Sequence, residues 1–142
     1  MQEKIELLFH VDNKIAYKTL LELEMLTTES NALYDYFDRI LQMISHEKTF
    51  IRVRGFRLIC SLAKWDVENK INANIQFILQ ELEDSKGTSV RQCLEKINLL
   101  LLYKWELSDI VAKKLQNLNL SKYKDNMKSL IQKDIDGILE NL

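Results

Sequence analysis

The chain contains no proline and only three glycines, Gly55, Gly87 and Gly137. Sandwiches and barrels turn often and place Gly or Pro at their turns. Their scarcity, beside abundant Leu, Lys, Glu, Gln and Ile, predicts an all-α chain. Cysteine is almost as rare: Cys60 and Cys93 form no CxxC pair, and both fall on apolar helix faces. A disulfide framework is excluded, and the thiols read as reduced and buried, as in a cytoplasmic protein. The only histidines, His10 and His46, have no ligand at i+3 or i+4, so neither a metal nor a cofactor is expected. GxSxG, glycine-rich phosphate-loop and HExxH motifs are missing. Asp134 and Asp136 stand two apart on a helix and so face different ways rather than forming a catalytic pair. The longest apolar run is Leu99 to Tyr103, far short of the ~18 residues of a membrane span. The N-terminal MQEKIELLFHVDNK carries acids and no apolar h-region, so no signal peptide is expected. Charge of one sign is lacking too, with 20 Lys and Arg against 21 Asp and Glu and a net charge of −1. Binders of duplex nucleic acid carry a basic excess, which sets that class at a disadvantage.

What the chain does have is a helix from Ile51 to Asp66 with two apolar faces. Ile51, Gly55, Leu58, Leu62 and Trp65 recur at helical spacing, and Phe56, Ile59, Cys60 and Ala63 make a second stripe beside them. Arg54, Arg57, Ser61 and Lys64 fill a polar sector roughly 80° wide. A helix at the surface of a globule shows one apolar stripe, so this one is expected between neighbours. Gly55 costs up to about 1 kcal/mol in a helix interior, which a close helix–helix approach would offset.

Around that helix the pattern predicts further helices with short connections. The first spans Gln2 to Phe9. The second is capped by Asp12, runs to about Leu26, and carries Ala16, Leu20 and Leu23 inward with Lys14, Lys18 and Glu22 opposite. The third, capped by Ser30 or Asn31, shows Leu33, Phe37, Ile40, Leu41 and Ile44. After the central helix, Asn69 or Asn72 caps a stripe of Ile71, Ile75, Ile78, Leu79 and Leu82. Gly87 is assigned to a turn. Thr88 caps a helix with Val90, Leu94, Ile97 and Leu101, Ser108 caps the next, and a terminal helix from about residue 121 turns Met127, Leu130, Ile131, Ile135, Ile138 and Leu142 inward. Segments alike in pattern recur: Ile40-Leu41-Gln42, Ile78-Leu79-Gln80 and Lys114-Leu115-Gln116, with Lys-Trp-acid closing two helices at Lys64 to Asp66 and Lys104 to Glu106. A period near 38 with two helices per unit is the mark of a helical solenoid.

Leu79, Leu82, Asp84 and then Val90-Arg91 resemble the HEAT-repeat pattern of an apolar helix end, a loop acid and a Val-Arg opening. Leu41, Ile44, His46 and then Ile51-Arg52 form a weaker copy with His46 at the acid position. The resemblance to the HEAT/armadillo-like families covers about residues 12 to 120 and lacks the consensus proline of the first helix. It implies an α-α superhelix of about three helical hairpins, at about 10–46, 47–84 and 85–120, plus a terminal helix at 121–142, in one domain of residues 1–142. The IRVRGFRLI–LAKWD and VRQC segments are also similar to short bacterial HEAT-like proteins labelled SufBD. That label implies iron–sulfur assembly, for which this chain carries no residues of direct use.

The resemblance implies that Arg52 and Arg91 pair with loop acids of neighbouring repeats. Arg54, Arg57 and Lys64 line up along two to three turns and repel one another unless an acidic surface faces them. That surface is either internal, supplied by Asp35 and Asp38, or an external anionic partner such as an acidic peptide or a phosphate; without one the stripe is a plain solvated face. Trp65 and Trp105 are expected as wedges between stacked pairs, with one of them alternatively an exposed interface anchor. The leading expectation is a non-catalytic module that binds an acidic peptide or protein segment through Arg54, Arg57 and Lys64, extended by Arg52 and Arg91. A DNA-binding or glycosylase-like HEAT protein is one alternative. A self-associating chain is the other, so that monomer and homodimer both stay open.

Overall fold

Every residue from Val53 to Ala63 is buried, the two arginines of that stretch included. The computed structural model describes all of residues 1–142, as nine α-helices joined by short 3-10 turns and no strands. The helices are α1 (Gln2–Leu7), α2 (Asn13–Thr27), α3 (Phe37–Met43), α4 (Thr49–Leu62), α5 (Lys70–Ala73), α6 (Ile75–Leu79), α7 (Gly87–Tyr103), α8 (Ser108–Gln116) and α9 (Asp125–Glu140). No helix is long and apolar enough to cross a membrane. The all-α expectation holds.

The two apolar faces of α4 are covered as their width requires: α2, α3 and α7 all pack on it, and α9 packs on α7. Contacts advance in step along successive long helices. Asn13 of α2 meets Arg54, and Thr27 meets Trp65 just beyond α4. Arg57 meets Gln92 of α7, and Asp66 meets Lys104. At the next step Gly87 lies against Met127 and Arg91 against Asp134. Early residues meet early ones and late meet late, so α2, α4, α7 and α9 run parallel. The shorter helices carry the chain back between them. One apolar core runs through all of this, from Ile5 to Ile138.

Gly55 sits at the tightest crossing. A Cβ there would lie 2.6 Å from the Met43 Cβ and 3.2 Å from the Ile40 carbonyl, so α3 and α4 approach more closely than any side chain permits. Gly87 is not in a turn. It opens α7, where a Cβ would collide with Met127 at 2.3 Å.

Several element ends differ from the sequence pattern. The stripe from Leu33 to Ile44 begins as a 3-10 turn at Ala32–Tyr36 before α3, and α4 closes in another at Ala63–Trp65. The stripe from Ile71 to Leu82 breaks into α5, α6 and a 3-10 turn at Gln80–Glu83. Its N-terminus is capped by neither Asn69 nor Asn72. Asp66 accepts the backbone N–H groups of Lys70 and Ile71 at 3.0 and 2.9 Å, while Asn69 bends the chain at φ 56°. The terminal helix starts at Asp125 rather than 121, and Leu130 and Leu142 lie exposed where they were expected inward. Asp12 does cap α2, accepting from the Lys14 amide at 2.9 Å.

Candidate functional site

The five cations singled out in the sequence do not form a free basic surface. Arg54 is only 5% exposed, and its guanidinium donates to the Leu8 carbonyl at 2.8 Å and to Asn13 Oδ1 at 2.9 Å. Burial alone pulls its pKa below the usual arginine value. Arg57, 7% exposed, grips Glu24 of α2 with Nε and Nη2 at 3.0 and 2.8 Å and reaches Gln92 at 3.3 Å. Burial works against its charge, but Glu24, with a smaller share from Tyr17, outweighs it and raises the pKa. Lys96 approaches the same carboxylate at 3.6 Å. The acid that answers the stripe is therefore Glu24, not Asp35 or Asp38; Asp38 pairs with Lys70. Planar guanidinium donors suit such fixed, desolvated bonds better than an ammonium does. Lys64 alone of the stripe is exposed, and its ammonium donates to the Thr28 carbonyl at 2.8 Å.

Arg52 and Arg91 are also spoken for. Arg52 donates through Nε to both oxygens of Glu81 at 3.1 Å and through Nη2 to Asp84 at 2.5 Å. Its remaining donors reach the His46 and Glu47 carbonyls and Thr49. Asp84, the loop acid of the repeat pattern, in turn accepts from the Lys86 amide that leads into α7. Its carbonyl takes the Tyr123 hydroxyl. Glu81 and Asp84 are both buried against this one cation and hydrogen-bonded to each other. The pair keeps a proton: burial first, and Asp84 next, push Glu81 up to about 8. Arg91 pairs with Asp134 of α9 at 2.7 Å, a helix acid rather than a loop acid. That pair lies in an open groove of about 780 Å³ between α7 and α9, lined also by Gln92, Glu95, Asn98, Lys133 and Gly137. Its charges are matched within the groove.

The two tryptophans are not equivalent. Trp65 is half-buried and its indole Nε1 donates to the Thr27 carbonyl at 2.7 Å, closing α4 against the end of α2. Beside it Lys64 holds Thr28. One unit on, Lys104 repeats the lysine's part: it is buried and donates to the Asp66 carbonyl and Asn69 at 3.0 and 2.7 Å, with Asp66 Oδ2 also at 3.0 Å. Trp105 does not repeat the tryptophan's part. It is 64% exposed, and the expected wedge is absent there. The same two turns expose Val67, Leu102 and Tyr103. At this corner, where α4 and α7 end, large apolar side chains gather at the surface.

Others lie exposed on α2. Its inward stripe of Ala16, Leu20 and Leu23 is buried as expected, but the opposite face is not simply charged. Tyr17, Leu21 and Met25 stand at i, i+4 and i+8 and are all exposed, Met25 at 69%. The signal is in the sequence: around α2, Tyr17, Leu21 and Met25 recur at helical spacing as a second apolar stripe beside Lys14 and Lys18.

Cys60 and Cys93 are buried free thiols, and burial raises the pKa of each. No family model matches the chain, and neither a curated protein nor a solved structure matches it.

Proposed function

We propose that the protein is a non-catalytic interaction module of HEAT-like build that docks a protein segment on the corner where α4 and α7 end. The in-step contacts among α2, α4, α7 and α9 support the repeat reading. The docking surface rests on one observation. Lys104 keeps the contact that its counterpart Lys64 makes, while Trp105 abandons the contact made by Trp65 and turns outward. Folding does not demand that exposure, and tryptophan is a strong interface anchor when a partner covers it. The partner's anchor here is apolar. The case for an acidic partner rested on an arginine stripe that is buried, and the charges on these turns, Lys64, Glu68 and Glu106, are mixed.

The test is affinity capture at low and moderate salt with the natural chain, a Trp105→Ala/Leu102→Ala variant and a Gln132→Ala control on the polar face of α9. All three should give the same circular dichroism, since the altered side chains are exposed. A protein held by the natural chain and the control and lost with the double variant is the expected result. Identical capture by all three overturns the site, and recovery of nucleic acid in place of protein, steeply lost with salt, favours the DNA-binding reading.

A further inference from the structure

The two outer helices of the parallel set differ in what they turn away from it. The outward side of α9 is polar, with Asn126, Lys128, Gln132, Lys133, Asp136 and Glu140 exposed. On α2 the uncovered side carries the Tyr17, Leu21 and Met25 stripe, with the Tyr17 ring at its inner edge beside Arg57. An apolar stripe on a helix that no other element covers is an association surface. Its charges say what covers it. Lys14 and Lys18 flank the first half of the stripe, and Glu22 and Glu29 flank or follow the second. A helix laid antiparallel over α2 therefore meets cations where it needs acids beside its own late residues, and acids where it needs cations beside its early ones. α2 itself carries that order.

We propose that the chain forms a two-fold symmetric dimer through α2, packed antiparallel against α2 of a second copy with the axis near Leu21. Such an interface is self-complementary, as a two-fold contact must be. Leu21 meets its own counterpart, and Tyr17 faces Met25 across the axis, a pairing that sulfur and an aromatic ring favour. Lys14 and Lys18 come beside the other copy's Glu29 and Glu22. Glu22 leaves an exposed 3.3 Å pair with Lys4 of its own chain, which is worth little in water. The Trp105 corner is not part of this contact, so dimerisation and partner docking stand or fall separately.

The experiment is sedimentation equilibrium of the whole chain over a wide concentration range, with light scattering at the highest. The natural chain should reach twice the monomer mass, and Leu21→Glu/Met25→Glu should stay monomeric with an unchanged helical spectrum. Two charge variants then read the geometry: Lys14→Glu/Lys18→Glu carries only acids along the stripe, and Glu22→Lys/Glu29→Lys carries only cations. Each alone should dimerise at least about tenfold more weakly than the natural chain, and an equimolar mixture of the two should restore the dimer as a heterodimer. A natural chain that is monomeric throughout overturns the proposal. So does a dimer indifferent to Leu21→Glu/Met25→Glu, or charge variants that fail to recombine on mixing.

Discussion

At the scale of single residues, two glycines in helices give opposite expectations. Gly55 has a Met43 side-chain carbon 2.6 Å from where its Cβ would stand, and Gly137 has nothing within 4 Å. Gly55→Ala should therefore force α3 and α4 apart and lower stability by about 2 kcal/mol, within the range of overpacked cores. Gly137→Ala removes the backbone freedom of a glycine from a helix interior without filling occupied space, and should raise stability by about 0.7 kcal/mol. Urea denaturation of the two variants beside the natural chain measures both. The same sign for both would show that the closeness of α3 and α4 is not what holds Gly55. The arginines carry a related lesson. Internal pairing was among the readings of Arg54 and Arg57, but helical periodicity describes one helix at a time and does not name the partners. The groups that cover them, the Leu8 carbonyl and Glu24, come from 46 and 33 residues away in the chain.

At the scale of elements, the turn after α4 is held by one side chain with four partners. Asp66 takes the Tyr34 hydroxyl at 2.6 Å, the amides of Lys70 and Ile71, and the buried ammonium of Lys104. It thus caps α5 and ties the end of α7 to that of α4. Asp66→Ala leaves the Lys104 ammonium buried without its counter-charge and should cost about 3 kcal/mol. Lys104→Met in the same chain should recover much of that loss, because it removes the stranded charge. A double-mutant cycle by urea denaturation gives the coupling directly; strictly additive losses would mean that the ammonium finds water instead. The resemblance to HEAT repeats implied a loop acid for Arg52, which is Asp84; the sequence itself pointed to helix ends at Lys64–Asp66 and Lys104–Glu106, to the buried stripes of α2, α4 and α7, and to the close approach at Gly55. These follow from periodicity and from residue types that have few other uses. It did not show that Asp66 rather than an asparagine caps α5, that Trp105 departs from Trp65, or that the long stripes break into 3-10 turns. Each of those depends on which distant group arrives at the spot, and local pattern is silent about that.

At the scale of the whole molecule, the buried carboxylates should make stability fall on both sides of a mildly acidic optimum. Glu81 is raised to about 8, by burial first and by Asp84 next, while in an unfolded chain it titrates near 4.3. Between those values the folded protein keeps a proton that the unfolded chain has released, so raising the pH favours unfolding. Its contribution is complete below the unfolded value and gone once the pH passes about 8. Asp66 and Asp84 act in the other direction. Burial pushes each up, but Tyr34, the Ile71 amide and Lys104 outweigh it for Asp66, and Glu81, Arg52 and the Lys86 amide for Asp84, so both are held below the usual carboxylate range. Their contribution is present above that range and lost as the pH falls below about 4. The free energy of unfolding should therefore decline from pH 5 to pH 8 and drop again under acid. Glu81→Gln isolates the basic limb, because its amide donates to Asp84 and accepts from Arg52 with no proton to lose. Unfolding free energies of the natural chain and Glu81→Gln at pH 5, 6.5 and 8 should diverge steadily, with the variant gaining on the natural chain as pH rises. Parallel profiles would mean that Glu81 is ionised in the folded protein at neutral pH, with Arg52 holding two carboxylates at once.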